Sequence, residues 1–137
     1  MPDRALRNQI RATHAIESQR PLFAFHCIDE TISLQDKDGY KSCVKKMPAW
    51  IQSNGLAQTV GFMHAKSTNV YKKLLDQICD YMIFRELIED RDEYSRENFI
   101  RTVISFDSFS YFQATEEVLL LIGWLRRLAE GNFREGN

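Results

Sequence analysis

The chain has 137 residues, 44% of them hydrophobic and 27% charged, which is the size and composition of a single globular domain. Its net charge of −1 by itself argues against a histone-like nucleic-acid binder. The longest apolar run, residues 118–125, is too short for a membrane span, which needs about 20 residues. The charged N-terminal segment lacks a secretory signal, so we expect a cytoplasmic protein with no membrane partner. The few prolines and glycines favour helices over a turn-rich sandwich.

The first part of the chain predicts two helices. One is expected over residues 3–19, and Pro21 then stands where a new helix over residues 22–34 can begin, because the first turn needs no donor there. The second helix shows an apolar stripe at helical spacing made of Phe25, Ile28 and Ile32. A strand remains an alternative for this segment, since apolar residues also alternate at Phe23, Phe25 and Cys27.

A polar turn over residues 35–39 precedes a clearly amphipathic helix. Its apolar positions follow the spacing i, i+3, i+4, i+7 and i+11 and are Tyr40, Cys43, Val44, Met47 and Ile51. Pro48 inside this helix is expected to kink it. Gly55 suits a left-handed cap at its end, and a short helix over residues 56–65 follows.

The second half of the chain predicts three more helical segments. The helix over residues 69–89 has a stripe made of Tyr71, Leu74, Leu75, Ile78 and Met82. After a charged connector, Ser95 can cap a helix that ends near Ser105 and packs Phe99, Val103 and Ile104. The last helix, residues 108–130, ends near Gly131 and packs Val118, Leu121, Ile122, Leu125 and Leu128. We therefore predict an all-α, compact single domain, a bundle of about six helices with short connections.

No motif of an enzyme or a metal site stands out. The three histidines (His14, His26 and His64) share no metal-binding spacing, and the chain has no nucleophile elbow, P-loop or dinucleotide motif. The three cysteines are odd in number and scattered along the chain, which predicts buried reduced thiols. A nucleophilic pair of His26 and Cys27 is disfavoured because adjacent residues on a helix point in different directions. We expect no cofactor, no metal and no catalytic residue.

The small net charge conceals an uneven distribution. Residues 37–73 contain seven lysines and one aspartate, a net charge of +6, whereas residues 74–97 carry −5. Lys41 and Lys45 are one helical turn apart on the face opposite the apolar stripe, and with Lys46 they form a basic ridge. Such a ridge is either a solvated helix face or a contact for phosphates, which requires positive charge but no base-reading geometry.

Two blocks of the sequence carry a recognisable pattern. The first is residues 40–62, YKSCVKKMPAWIQSNGLAQTVGF, continued by Lys66 and Tyr71. The second is the last helix, with YFQAT over residues 111–115 and GWLRRLA over residues 123–129. Together they resemble the small helical subunit of the type III-B CRISPR effector (Cmr) complex. Arg126 stands where that family usually has Lys. The resemblance covers most of residues 20–130, with a gap in the acidic middle, and leaves residues 1–19 as an N-terminal extension.

The resemblance implies an α-helical protein without known catalytic activity. Several copies of such subunits stack along a backbone built from another subunit and support the duplex of CRISPR RNA and target RNA in antiviral defence. The implied partners are therefore that duplex, the other Cmr subunits and further copies of the chain. The predicted nucleic-acid-binding residues are all basic: Lys41, Lys45, Lys46, Lys66, Arg126 and Arg127.

Two alternative interpretations of the sequence also predict a helical fold. One is a DNA-binding regulator, since residues 48–63 predict a helix, a tight turn and a second helix. That second helix would present Gln58, Thr59 and His64. Few basic residues there reach guanines, which counts against this reading. The other is a helical protein–protein adaptor, which differs only in whether the lysine ridge contacts phosphates.

Overall fold

The computed structural model describes residues 4–13, 15–66, 68–91 and 94–132. Within these ranges the chain forms no strand and seven α-helices: α1 Arg4–Thr13, α2 Ile16–Thr31, α3 Lys37–Asn54, α4 Leu56–Lys66, α5 Asn69–Phe84, α6 Arg96–Ile104 and α7 Ser108–Asn132. The all-α prediction is confirmed, whereas the count of about six is one too low. None of these helices is both long and apolar enough to cross a membrane.

The single N-terminal helix predicted over residues 3–19 is wrong, because the chain breaks near Ala15. This residue is extended (φ −61°, ψ 153°) and separates α1 from α2. The break lets α1 pack against the bundle, with Ile10 buried and Arg11 donating from Nη1 to the Phe84 carbonyl oxygen at 2.9 Å. Pro21 consequently lies inside α2, where it removes one intrahelical hydrogen bond, rather than at a helix start. The predicted first residue, Asp3, lies outside the described residues.

The buried face of α2 differs from the predicted stripe. Phe25 and Ile32 are 45% and 53% exposed, and of that stripe only Ile28 is buried. The core face consists instead of Phe23, Ala24, Cys27 and Ile28. Helix α2 packs mainly against α7 and also contacts α1 and α5, and these neighbours select its buried face. The strand alternative for this segment is wrong.

Helix α3 begins three residues before the predicted Tyr40, because the polar turn supplies its first turn. Asp36 is the N-cap, and its Oδ1 accepts a hydrogen bond from the Gly39 amide at 2.8 Å. The predicted stripe of α3 is confirmed in full, since all five of its residues are buried. Gly55 ends the helix with a positive φ of +86°, and its amide donates to the Ile51 carbonyl at 2.8 Å.

The later helices match the predictions in type and differ at their ends. Helix α5 ends at Phe84, five residues early, and Glu86 after it has a positive φ of 61°. Ser95 caps α6 as predicted, with its Oγ accepting from the Asn98 amide at 3.0 Å. Ile104 at the end of α6 is 64% exposed rather than packed. Gly131 lies within α7 and does not end it.

The core is built from α2, α3, α5 and α7, and α4 and α6 add fully buried side chains to it. Helices α2 and α5 run antiparallel, because Arg20 Nε donates to Tyr81 Oη at 2.8 Å while Gln77 Nε2 donates to the Cys27 carbonyl at 3.0 Å. The buried Tyr40 hydroxyl of α3 donates to Gln77 Oε1 at 2.7 Å, so one amide joins three helices. This rigid core leaves the outer face of α3 and the α3–α4 hairpin available at the surface.

Candidate nucleic-acid interface

The predicted basic ridge lies on the outer face of α3. Lys45 and Lys46 are exposed and Lys41 is half-buried, as expected for positions opposite a fully buried stripe. In the described part of the chain, none of the three lysines forms an ion pair with a carboxylate. Their charge is therefore available to an outside anion, whereas Lys73 of the same basic segment pairs with Glu30 at 3.6 Å.

Next to the ridge lies an aromatic cluster that the sequence analysis missed. It consists of Trp50 on α3, Phe62 on α4 and Tyr71 on α5. The ring centroids are 5.6 Å apart for Trp50 and Phe62, 6.0 Å for Phe62 and Tyr71 and 6.4 Å for Trp50 and Tyr71. The sequence held a local signal for Trp50 alone, which follows Met47 by three residues and therefore lies at the edge of the buried stripe, where a large ring is partly exposed.

A groove of about 460 Å³ is lined by two rings of the cluster, Trp50 and Tyr71, and by one lysine of the ridge, Lys46. Its remaining lining is mixed, with polar Ser42, Thr68 and Asn69 beside apolar Cys43 and Val70. The Lys66 ammonium lies 5.5 Å from the centre of the third ring, Phe62, so both the groove rings and Phe62 have a cation beside them.

The predicted arginines of α7 are a separate basic group. Arg126 and Arg127 are both exposed, and the Arg127 guanidinium lies 5.5 Å from the centre of the half-buried Trp124 ring. Among the described residues, no hydrogen bond, ion pair or ring contact links them to the ridge or to the aromatic cluster. The structure thus places Lys46 and Lys66 at the aromatic cluster. Within the described ranges, Lys41, Lys45 and the two arginines form no hydrogen bond, ion pair or ring contact with it.

Comparison with known proteins gives this surface a family context. Residues 16–132 match the model of the family described as CRISPR-associated protein (Cas_Cmr5). The chain belongs to this family. It is also 24% identical over 115 residues to a Thermus thermophilus protein named CRISPR system Cmr subunit Cmr5, covering 82% of this chain and 90% of that protein. The resemblance found in the sequence is confirmed, and the Cas_Cmr5 match leaves α1 outside it.

One residue of the predicted DNA-reading helix is unsuited to that role in this Cas_Cmr5 member. Thr59 of α4 is 3% exposed, and its hydroxyl donates to the Gly55 carbonyl at 2.8 Å. Gln58 and His64 are exposed, but without Thr59 they leave few groups to read base edges. The burial of Thr59 and the family membership both argue against the interpretation as a DNA-binding regulator.

The acidic segment is partly neutralised within the fold. Arg96 forms two hydrogen bonds with the Asp76 carboxylate, at 3.0 and 2.8 Å, and Arg101 pairs with Glu97 at 3.2 Å. Exposed pairs of this kind contribute little to stability, but they reduce the local negative charge. Among the described residues, the lysines of the basic ridge have no ion pair of this kind.

The cysteines are free and buried, in agreement with the prediction of reduced thiols. Burial raises the pKa of the Cys43 and Cys79 thiols to about 12 and also raises the pKa of Cys27. These thiols are therefore protonated at neutral pH. In the described ranges, no three His, Cys, Asp or Glu side chains are grouped to hold a metal ion, and His14 lies outside those ranges.

Proposed function

We propose that this chain is a non-catalytic small subunit of a type III-B Cmr effector complex that supports the duplex of CRISPR RNA and target RNA. The observation that carries the proposal is the uncompensated lysine ridge on α3 of a Cas_Cmr5 family member. The related Thermus thermophilus protein is named a Cmr subunit, which supports the assembly part of the proposal.

The ridge has the chemistry that a sequence-independent support requires. A subunit that accepts any guide and any target has no use for base-edge readout and holds an A-form duplex through its phosphates and shape. Lysines on a rigid helix provide positive charge without base specificity, and the fully buried stripe of α3 holds that helix in place. The protonated thiols favour a role without nucleophilic catalysis, and the backbone subunits would cut the target.

Contacts with other subunits and further copies of the chain also fit the surface. Phe109 and Phe112 on α7 are 75% and 65% exposed, and exposed rings of this kind favour protein interfaces. The separation of basic and acidic segments suits a head-to-tail contact, which is heterologous and can extend through several copies. The proposed setting is the cytoplasm, during antiviral defence.

A charge reversal on the ridge tests the RNA contact. The Lys45→Glu and Lys46→Glu double variant is introduced into the host, and the complex is purified through a tag on another subunit. We expect unchanged subunits and guide RNA but a weakening of target RNA capture by about tenfold or more at moderate salt, because two phosphate contacts are lost and two repulsions are added.

The matched control is the Arg91→Glu and Arg101→Glu double variant, which changes the net charge equally on residues away from the ridge. It is expected to capture the target as the wild type does. Equal capture by both double variants would contradict the RNA contact, and failure to recover the wild-type chain with a guide RNA would contradict the assembly itself.

A further inference from the structure

Contacts with phosphates do not account for the aromatic cluster. Phe62 is 43% exposed, and Trp50 and Tyr71 are half-buried, so three rings reach the surface beside the ridge. A surface whose only task is to hold a duplex backbone needs cations, since the bases of a duplex stack on one another and present no free faces. The cluster and its groove therefore offer a ligand chemistry that the lysines alone do not provide.

The environment of the rings favours an unpaired nucleotide as that ligand. Aromatic rings bind nucleobases by stacking irrespective of sequence, and single-strand binders combine such rings with cations that follow the backbone. Here Lys46 lines the groove together with Trp50 and Tyr71, and the Lys66 ammonium lies 5.5 Å from the Phe62 ring centre. The groove of about 460 Å³ lies within the size range of small-ligand sites.

The single carboxylate in the groove does not oppose an anionic ligand strongly. Asp36 lines one end, and its Oδ1 accepts the hydrogen bond from the Gly39 amide that caps α3. The other polar lining groups, Ser42, Thr68 and Asn69, are neutral. The rings, the flanking lysines and this neutral lining are complementary to a base with its adjoining phosphates.

We propose that the cluster of Trp50, Phe62 and Tyr71 is a stacking platform for one unpaired nucleotide of a bound RNA, with Lys46 and Lys66 on the flanking phosphates. This inference rests on the proposed RNA-supporting function and adds a single-stranded element to it. Binding at the platform is tolerant of sequence and stronger for purines, whose larger faces overlap more ring area.

The test uses the full chain with Trp124 replaced by Phe, so that Trp50 is the remaining tryptophan and reports stacking through its fluorescence. The three probes have equal length: a single-stranded oligoadenylate, an abasic RNA strand and a blunt RNA duplex. In this background, Phe62→Leu removes the exposed ring and keeps its apolar bulk. Phe25→Leu on α2 is the matched control, since Phe25 is 45% exposed and Phe62 is 43% exposed.

We expect the oligoadenylate to quench Trp50 and the abasic strand to bind without quenching. Phe62→Leu should weaken oligoadenylate binding by about fivefold or more and leave abasic and duplex binding unchanged. Phe25→Leu should bind all three probes as the background protein does. Circular dichroism of each variant shows whether the fold is intact before its binding is compared.

The other outcomes separate this inference from the proposed function. One contrary outcome is that oligoadenylate and abasic RNA bind equally, through the lysines, and that Phe62→Leu changes neither affinity. This result would leave the duplex contact supported but contradict the stacking platform. Normal RNA binding combined with loss of Cmr subunits from a Phe62→Leu purification shows that the rings face a protein, which also overturns it. No binding of any RNA at low salt overturns the platform and the proposed RNA contact together.

Discussion

At the scale of single residues, the most consequential polar group is the Glu117 carboxylate in α7. Its Oε1 accepts hydrogen bonds from Tyr81 Oη at 2.8 Å, Arg85 Nε at 3.1 Å and Arg20 at 3.2 Å. Burial raises the pKa of this carboxyl, but the three hydrogen bonds outweigh it and hold the pKa below its ordinary value of 4.5. One carboxylate thus joins α2, α5 and α7 and balances two arginines.

Replacing Glu117 by Gln removes the charge from this network and leaves the shape similar. We expect the free energy of unfolding at pH 7 to fall by about 2 kcal/mol, because two partly buried guanidinium groups lose their counter-charge. Urea denaturation measures the change. The exposed neighbour Glu116→Gln serves as the control and should remain within about 0.5 kcal/mol of the wild type.

At the scale of elements, the α3–α4 hairpin depends on one glycine. Gly55 has φ +86° and ψ 162°, a region that is almost restricted to glycine. A Cβ there would lie 3.0 Å from Tyr111 Oη, which accepts a hydrogen bond from the Ala57 amide at 2.9 Å. The Tyr111 hydroxyl therefore joins the turn, the start of α4 and the start of α7.

A Gly55→Ala variant should lower the free energy of unfolding by about 2 kcal/mol, from backbone strain and displacement of Tyr111. Thermal and urea denaturation both measure this loss. Gly61→Ala on α4 is the paired control: its Cβ meets nothing within 4 Å, and the helical position should gain about 0.5–1 kcal/mol. An equal change in the free energy of unfolding for both alanine variants would show that the turn conformation does not require glycine.

At the scale of the whole molecule, Asp80 in α5 affects how stability depends on pH. Burial, assisted by the nearby charge of Asp76, raises its pKa to about 7, although Arg7 and Lys73 act in the opposite direction. The unfolded chain loses this proton near the ordinary value of 3.8 and the folded chain only near 7. The stability that this group contributes is therefore present below pH 4 and lost as the pH rises toward 7.

An Asp80→Asn variant should remove that pH dependence. We expect its free energy of unfolding above pH 7 to exceed that of the wild type by on the order of 2 kcal/mol, with little difference near pH 4. Urea titrations between pH 4 and 8 measure the profile. Asp29→Asn, exposed on α2, is the control substitution, and an Asp80→Asn profile parallel to the wild type would contradict the assignment.

The basic ridge was predictable from the sequence, whereas its aromatic neighbour was not. Lys41, Lys45 and Lys46 follow from the spacing of one helix, because a fully buried stripe leaves the opposite face to solvent. The aromatic cluster joins three helices, and Tyr71 belonged to a predicted core stripe. The partial exposure of Tyr71 depends on how α5 crosses α3, and the local sequence pattern of neither helix determines that crossing.

The sequence by itself determined the helical class, the buried stripe of α3, the Ser95 cap and the family, because each depends on residues close together along the chain. Only the tertiary structure decided the break before α2, the face that α2 buries, the aromatic cluster and the Glu117 network. Arg20 and Glu117 are 97 positions apart, and their meeting depends on the packing of whole helices. A periodic pattern specifies that a helix has a buried face, but the helices around it select which side chains that face contains.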